Sequence, residues 1–136
     1  MQEIHAMIAS HPDVRGRTND ALIGCISECF ACAQTCISCA DACLAEGMVA
    51  DLRQCIRLNL DCADICIATG KLAIRRSGGN EQSILDMLQA CRNICVACGQ
   101  ECAQHASMHE HCRICAEHCR SCAEACEAAA ASISPH

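Results

Sequence analysis

Apolar positions recur every three or four residues along nearly the whole chain, which is the period of an α-helix with one buried face. The residues Pro12 and Pro135 lie near the two ends, so no proline interrupts this pattern between them. The pattern predicts four long helices joined by short loops, and short loops make neighbouring helices antiparallel. We therefore expect an all-α protein, an antiparallel up-down-up-down four-helix bundle. The predicted helices cover about residues 18–46, 48–76, 80–106 and 107–132.

The segment before the first long helix has a different character from the rest of the chain. Residues 1–17 are predicted to form an N-terminal arm with a short helix after Pro12. The bundle is assigned to residues 18–136 as one domain, since the chain of 136 residues has the length of an ordinary single domain.

Short polar residues mark where the predicted helices begin. Asn19 and Asp20 are the candidate N-caps of the first helix, and Asn80 is the candidate for the third. Their side chains can accept hydrogen bonds from backbone N–H groups that have no partner inside the helix. The segment Ser107-Met108-His109-Glu110 matches a capping box, which predicts that the fourth helix begins at Ser107.

Cysteine occupies the buried face of all four predicted helices. The chain contains 18 Cys, and within each helix they are separated by three, four or seven residues. These are the spacings of a and d positions, which point to the interior of a bundle. We expect the thiols to line one tube along the bundle axis, and we call this set the thiol core. The thiol core consists of Cys25, Cys29, Cys32, Cys36, Cys39, Cys43, Cys55, Cys62, Cys66, Cys91, Cys95, Cys98, Cys102, Cys112, Cys115, Cys119, Cys122 and Cys126.

The composition offers little else from which to build a core. The chain has no Trp, no Tyr and a single Phe, and Cys and Ala supply much of its 52% apolar content. Free Cys behaves as a small buried hydrophobe, so the thiols can serve as core residues. Leu or Ile would pack as well or better without the risk of oxidation, so the choice of Cys indicates a function.

Charge and hydropathy exclude several classes of protein. A net charge of −6 argues against a nucleic-acid binder that works by neutralising phosphates. The apolar runs are short, so we expect no membrane-spanning segment. The N-terminal residues do not resemble a signal peptide, which predicts a cytoplasmic protein with reduced thiols. Under those conditions a Cys-rich chain is expected to bind metal or perform redox chemistry.

The spacing of the thiols favours Cu(I). Eight Cys-x-x-x-Cys pairs lie along the predicted helices, where residues at i and i+4 are neighbours. Such a pair can hold one soft ion between two sulfurs, and thiolates select Cu(I). One Cu(I) per thiolate leaves the core neutral, whereas uncompensated buried charge is very costly. We therefore expect many Cu(I) ions per chain, about one per Cys if thiolates bridge two-coordinate ions.

Zinc and iron–sulfur clusters fit this pattern less well. A zinc ion with four thiolates carries a net charge of −2, and structural zinc sites favour short Cys pairs in loops. The closely spaced Cys run of bacterial iron–sulfur proteins does not occur in this chain.

Further soft ligands collect at one end of the predicted tube. In an antiparallel bundle, the end of the third helix and the start of the fourth lie beside the loop between the first and second helices. His105 and His109 continue the Cys spacing of the third helix, and Met108 precedes Cys112 by four residues. The sequence therefore predicts a site of copper uptake and release at this end. Its candidate residues are His105, His109, His111, Met48 and Met108.

One polar residue interrupts the Cys pattern of the second helix. Asn59 takes the inward position between Cys55 and Cys62. We expect it either to set the register of the helices, as buried Asn does in coiled coils, or to accept a hydrogen bond from a thiol.

The run of Cys-x-x-x-Cys pairs on all four helices resembles the bacterial copper storage proteins, over about residues 18–132. That resemblance implies a four-helix bundle with many Cu(I) ions in its core, and assembly as a homo-tetramer. Because no signal peptide is expected, the chain resembles the cytosolic members of the family. The resemblance implies a copper store and not an enzyme.

Three other functions remain open from the sequence. A copper chaperone needs one exposed site, and a zinc or thiol buffer needs convergent groups of four ligands. A thiol redox protein needs an exposed Cys of low pKa beside a resolving partner. The residues beside the thiol core form no basic cluster that would lower a thiol pKa.

Overall fold

The computed structural model describes residues 2–75 and 79–133. Within those ranges the regular structure is helical throughout, which confirms the all-α prediction. The predicted end of the second helix at residue 76 and the last residues of the bundle, 134–136, lie outside the described residues. The helices are α1 (Gln2–Ala9), α2 (Asp20–Leu44), a short 3-10 helix (Val49–Leu52), α3 (Arg53–Ile74), α4 (Glu81–Gln104) and α5 (Glu110–Ile133).

Helices α2 to α5 form the bundle. Each packs against the next along the chain, and α5 packs against α2 to close the ring. Cys25 near the start of α2 contacts Cys126 near the end of α5, while Cys39 contacts Cys112. The two helices therefore run antiparallel, as predicted. We call the end where α2 and α4 finish the histidine end, and the opposite end the far end.

The starts of α2 and α4 differ in how they are capped. Asn19 is the N-cap of α2, since its Oδ1 accepts a hydrogen bond of 3.0 Å from the Leu22 N–H. Asp20 is instead the first residue of the helix. At the start of α4, Asn80 precedes the first helical residue as predicted, but its side chain donates to the Arg75 carbonyl and does not cap the helix.

Helix α5 begins three residues later than the capping box predicted. The segment before Glu110 forms a turn, in which the backbone N–H of His109 donates to the carbonyl of His105 at 3.0 Å. This turn places Ser107 outside the helix. The histidines that flank it are thereby held close together at the histidine end.

The helix of the N-terminal arm precedes Pro12, so the predicted position after Pro12 is wrong. Arg15 and Gly16 have φ angles of 52° and 80°, which a right-handed helix does not accommodate. The arm is not detached from the bundle, because Ile8 and Val14 are buried and belong to the same apolar cluster as the core.

Large aliphatic side chains occupy the far end of the bundle. Leu22 and Ile26 from the start of α2, and Ile84 and Leu88 from the start of α4, are all at most 2% exposed. They belong to the same buried cluster as the thiols. The far end is therefore filled along the axis by ordinary hydrophobic packing.

The expectation that no segment could span a membrane needs correction for α2. The most apolar window of this helix, Asp20–Leu44, has a mean hydropathy of 1.5, enough by length and composition to cross a bilayer. The value is high because Cys and Ala count as apolar residues. Half of the window is buried inside the bundle, as in the core helix of a globular protein. The hydropathy therefore reflects the thiol core.

One glycine is required by the packing of α2 on α3. A Cβ atom added at Gly70 would lie 2.9 Å from the ring of Phe30, whereas one added at Gly24 would meet nothing within 4 Å. We expect Gly70→Ala to lower the free energy of unfolding by about 1 kcal/mol. The matched change Gly24→Ala should raise it by about 0.5–1 kcal/mol, since Ala favours the helix. Denaturant unfolding of the reduced variants measures both, and equal stabilisation would show that the Phe30 ring moves aside freely.

Candidate metal centre

The cysteines predicted to face inward all do so. Each of the 18 Cys is a free thiol and is buried. They come from all four helices of the bundle, and together with a few aliphatic residues they make up its core. The prediction of a thiol-lined core is therefore confirmed.

Thiols of α2 and α5 pair across the core like the rungs of a ladder. The pairs follow the antiparallel register, and successive pairs are three or four residues apart along each helix. Their Sγ–Sγ distances of 3.7–4.0 Å are too long for a disulfide and short enough for one ion to contact both sulfurs. The rungs are Cys25–Cys126, Cys29–Cys122, Cys32–Cys119, Cys36–Cys115 and Cys39–Cys112.

A second ladder joins α3 to α4. Its Sγ–Sγ distances are 3.5 Å for Cys55–Cys102, 3.7 Å for Cys62–Cys95 and 3.6 Å for Cys66–Cys91. Pairs four residues apart on one helix, such as Cys62 and Cys66 at 3.9 Å, add contacts along the axis. Cys62 and Cys66 thus have thiol neighbours both across the core and along their own helix.

The two ladders combine into groups of four thiols. In each group the sulfur atoms lie within 4.8 Å of one another. Neighbouring groups share members: Cys122 and Cys32 each belong to two groups, and so do Cys36 and Cys119. The thiol core is therefore one continuous array in which a sulfur can bridge two ions. Four of these groups are Cys29/Cys91/Cys122/Cys126, Cys32/Cys66/Cys95/Cys122, Cys32/Cys36/Cys62/Cys119 and Cys36/Cys98/Cys115/Cys119.

Asn59 forms the polar rung of the α3–α4 ladder. Its side chain is fully buried, and its Oδ1 accepts S–H hydrogen bonds from Cys98 at 3.1 Å, Cys115 at 3.3 Å and Cys102 at 3.4 Å. Its Nδ2 donates to the sulfur of Cys55 at 3.8 Å. The predicted thiol hydrogen bond is thus confirmed, and one amide organises thiols from three helices.

At the histidine end, an imidazole joins the thiols directly. The Nδ1 of His111 lies 3.4 Å from the sulfur of Cys39 and 3.6 Å from that of Cys112. Together with Cys43, these residues form a group of three thiols and one imidazole within 4.8 Å. Sulfur and imidazole nitrogen are both ligands of copper in proteins, so this group extends the array to the surface.

A carboxylate that the sequence analysis missed holds two of the histidines. Glu46 accepts a hydrogen bond from the Nε2 of His111 at 2.9 Å, and its Oε2 lies 3.1 Å from the Nδ1 of His109. The two imidazole rings stack 5.4 Å apart. Hydrogen bonding to His111 lowers the pKa of Glu46. Burial works against a charged His111 ring, but its hydrogen bonds with Cys39 and Glu46 raise its pKa. Glu46 thereby orients His111 with its Nδ1 toward the thiols.

The remaining candidates at this end have different surroundings. His105 caps the end of α4 and contacts the carboxylate of Glu101 at 2.9 Å, a pair that their spacing of four residues could have predicted. His109 lies on the turn before α5, so the expectation that it continues the Cys spacing of α4 is wrong. Met48 and Met108 are exposed, at 40% and 60%.

The thiols differ in how readily they lose a proton. Burial raises the pKa of Cys43 to about 11, and it also raises the pKa of Cys112. Hydrogen bonding with Cys126 and then with Cys29 lowers the pKa of Cys25 to about 5, because neighbouring thiols stabilise one thiolate among them. The array therefore stabilises isolated thiolates, and a cation is required before all of its sulfurs can be ionised.

Comparison with known proteins identifies the family. The family described as copper storage protein matches residues 18–131, which is most of the chain and includes every cysteine. The chain belongs to this copper storage protein family. The resemblance seen in the Cys-x-x-x-Cys pairs is thereby confirmed. No protein among those with curated descriptions matches the chain.

Solved structures of copper storage proteins have the same fold. The chain is similar to Ccsp from Streptomyces lividans loaded with 10 copper equivalents, with 49% identity and a TM-score of 0.90, over 95% of this chain and 98% of that one. A structure of copper loading to a cytosolic copper storage protein from the same organism, with five coppers, is 54% identical, with a TM-score of 0.81, over 82% and 93% of the two chains. The Cu(I)-bound copper storage protein BsCsp3 is 37% identical, with a TM-score of 0.71, over 81% and 98%.

Proposed function

We propose that this copper storage protein holds many Cu(I) ions in the cytosol, bound by the thiolates of its core. The observation that carries this proposal is the continuity of the array, in which successive groups of four thiols share Cys32, Cys36, Cys119 and Cys122. A protein that only handed on one ion would not need shared sulfurs along the whole length of a bundle. The loaded structures of the Streptomyces lividans protein support the same conclusion.

Charge balance explains how the core can fill. Each Cu(I) that binds displaces the proton of a thiol, so the core remains neutral as it loads. Neutrality matters because an unpaired thiolate in the interior is very costly. An ion can move along the array by exchanging one sulfur for the next, since adjacent sulfurs lie 3.5–4.0 Å apart. All 18 Cys are therefore proposed ligands, with a capacity of about one Cu(I) per Cys.

The histidine end is the proposed site of copper uptake. His111 is the imidazole that passes copper to the thiols, because its Nδ1 contacts both Cys39 and Cys112. The proposed role of His105 and His109 is to hold copper beside His111, with side chains that are 18% and 8% exposed. Met48 and Met108 offer exposed thioethers that can capture Cu(I) before it reaches the imidazoles.

The wider organisation of the protein follows the same proposal. The bundle of residues 18–136 is the storage domain, and residues 1–17 are an arm that packs on it. Copper ions are the proposed partners, with no nucleic acid and no membrane. The homo-tetramer is proposed from the resemblance to the family. The protein is proposed not to be an enzyme, since its chemistry lies in a buried array of thiols.

A zinc buffer is the alternative that the geometry favours next. The group Cys32, Cys66, Cys95 and Cys122 draws one thiol from each of the four helices, which suits a tetrahedral ion. However, this group shares sulfurs with its neighbours, so the groups cannot each fill with their own zinc. Each filled zinc site would also leave two negative charges in the core.

An anaerobic titration of the reduced protein with Cu(I), against a competing chelator, tests the proposal. We expect uptake to approach one Cu(I) per Cys, because every thiol belongs to the array. A parallel titration with Zn(II) is the matched control and should show weaker, smaller uptake. Saturation at one or two Cu(I) would instead indicate a chaperone. A preference for about four zinc ions would indicate a zinc buffer, as expected for sites of four thiolates.

A further inference from the structure

The thiol core meets the surface at its far end as well as at the histidine end. Cavities open to the surface reach several of its members: one of about 290 Å³ is lined in part by Cys39 and His111, and one of about 270 Å³ is lined in part by Cys126. A third, of about 480 Å³, is lined in part by Cys95 midway along α4. The first belongs to the uptake site already described. The second lies near the opposite end of the tube and has no role in that site.

The second cavity lies between α4 and α5 and combines three kinds of surface. Leu88 and Ala130 give it apolar walls, and Gln89 and Arg92 supply hydrogen-bond donors. Cys126 forms its inner wall. We call it the Cys126 cavity. Its size is near the lower limit of small-molecule pockets, which begin at about 300 Å³. It can therefore admit a ligand of only a few heavy atoms.

An exposed ion pair lies at the edge of this cavity. The Nε of Arg92 donates to Glu127 Oε1 at 2.9 Å, joining α4 to α5, and the two side chains are 41% and 58% exposed. Ion pairs this exposed contribute little to stability, because solvent screens the two charges. A carboxylate on a ligand can therefore replace Glu127 as the partner of Arg92 at little cost.

The cavity is a lateral route to thiols that cannot be reached along the axis. Leu22, Ile26 and Ile84 are buried across the far end, so that direction is filled. Behind the cavity, the sulfur of Cys126 lies 3.7 Å from that of Cys25. Cys126 also belongs to the group of four thiols with Cys29, Cys91 and Cys122.

We propose that the Cys126 cavity is an exchange site at which a small anionic thiol removes Cu(I) from the far end of the store. The apolar walls receive the carbon chain of the ligand, Arg92 binds its carboxylate, and its sulfur meets the ion held by Cys126. The inference rests on the proposed copper store. It assigns release to a place separate from the histidine end.

The exchange needs no oxidant or reductant. A bond forms between the incoming sulfur and Cu(I), and the bond between Cu(I) and the sulfur of Cys126 breaks. A second molecule of the small thiol displaces the other Cys sulfur from the ion in the same way. The protons lost by the two incoming thiols pass to the two released Cys thiolates, so the thiol core stays neutral. Copper remains Cu(I) throughout and leaves as a thiolate complex.

The test measures the rate at which copper-loaded protein loses Cu(I) to excess bicinchoninate, a chelator too large for the cavity. The coloured complex that it forms with Cu(I) is the readout. The probes are 3-mercaptopropionate, which is anionic, and 3-mercapto-1-propanol, which has the same length and no charge. We expect the anionic thiol to accelerate release more, by about tenfold, because of the charge of Arg92. Equal rates with both thiols would overturn the proposal.

Two variants and two matched controls complete the test. Ala130→Leu fills the cavity and should reduce the rate with either thiol to that of bicinchoninate alone. Arg92→Gln should remove the preference for the anionic thiol. Ala128→Leu, on the exposed side of α5, and Arg57→Gln, on the exposed side of α3, should behave as wild type. Wild-type rates in both cavity variants would show that release occurs elsewhere.

The copper content before release separates the two proposals. If the wild-type protein loads only one or two Cu(I), the proposal of copper storage is wrong, and the proposed exchange site is wrong as well. If it loads about one Cu(I) per Cys but the cavity variants release normally, only the exchange site is wrong.

Discussion

The copper-loaded protein is expected to resist unfolding far better than the reduced, metal-free protein. The metal-free core has few large side chains: Leu22, Ile26, Leu52, Ile84 and Leu88 are its fully buried aliphatic residues of that size. A ligand present at a thousand times its Kd adds about 4 kcal/mol to the free energy of unfolding for each site. Several filled sites therefore exceed the total stability of about 5–15 kcal/mol that is typical of a domain.

Denaturant unfolding under anaerobic conditions measures this effect. Helix content by circular dichroism is followed at zero, five and ten equivalents of Cu(I), and the midpoint should rise with each addition. Binding of Cu(I) by unfolded thiols reduces the gain but does not remove it, because the unfolded chain lacks the bridging geometry. The same equivalents of Zn(II) are the control, with a smaller expected shift. If the midpoint did not change although copper was bound, the folded core would not bind Cu(I) more tightly than the unfolded chain, which would contradict a preformed site.

The second large effect is expected for Asn59→Asp in the metal-free protein. The new carboxyl group would replace a buried amide whose Oδ1 accepts from Cys98, Cys102 and Cys115. No cationic side chain contacts Asn59 among the described residues, so burial would raise the carboxyl pKa in the folded state. The three S–H groups are weak donors and offset only part of that rise. A rise of about three units, within the range seen for buried carboxyls, corresponds to about 4 kcal/mol.

The sign of the pH dependence follows from that direction. The carboxyl pKa is higher in the folded state than in the unfolded state, so the protonated form favours folding. The loss in free energy of unfolding is therefore absent below about pH 4, the pKa of an unfolded Asp. It grows as the pH rises through the folded-state pKa and is complete near neutrality. The matched control is Asn93→Asp on the exposed face of α4, where Asn93 already accepts from Arg92. Unfolding curves at pH 4 and pH 7 that show the same loss for both variants would refute the role of burial.

The spacing of the cysteines made most of the fold and the thiol core predictable. Intervals of three and four residues specify one helical face, and short loops restrict how four such helices can pair. The same local logic explains the errors: residues between Gln104 and Glu110 form a turn, so His109 could not be placed by extending the spacing of α4. Likewise, Arg15 and Gly16 turn the chain after Pro12, where the sequence alone predicted a helix.

The features of the histidine end that the sequence did not predict depend on contacts between residues far apart in the chain. Glu46 lies in the loop after α2 and reaches His109 and His111 at the start of α5, a contact that no interval along the chain reveals. The sequence singled out His105 and His109 through their spacing, whereas His111 is the imidazole that contacts thiols among the described residues. Its distinction depends on the position of Cys39 across the bundle.

The use of one set of side chains both as core and as cargo site has a consequence for turnover of the protein in the cell. Proteases degrade the fraction of a protein that is transiently open, and that fraction falls as the free energy of unfolding rises. The empty chain is then the form that is cleared fastest, and the filled chain is the form that persists. Copper supply would set the lifetime of the protein as well as its content, so that abundance follows demand without any change in synthesis.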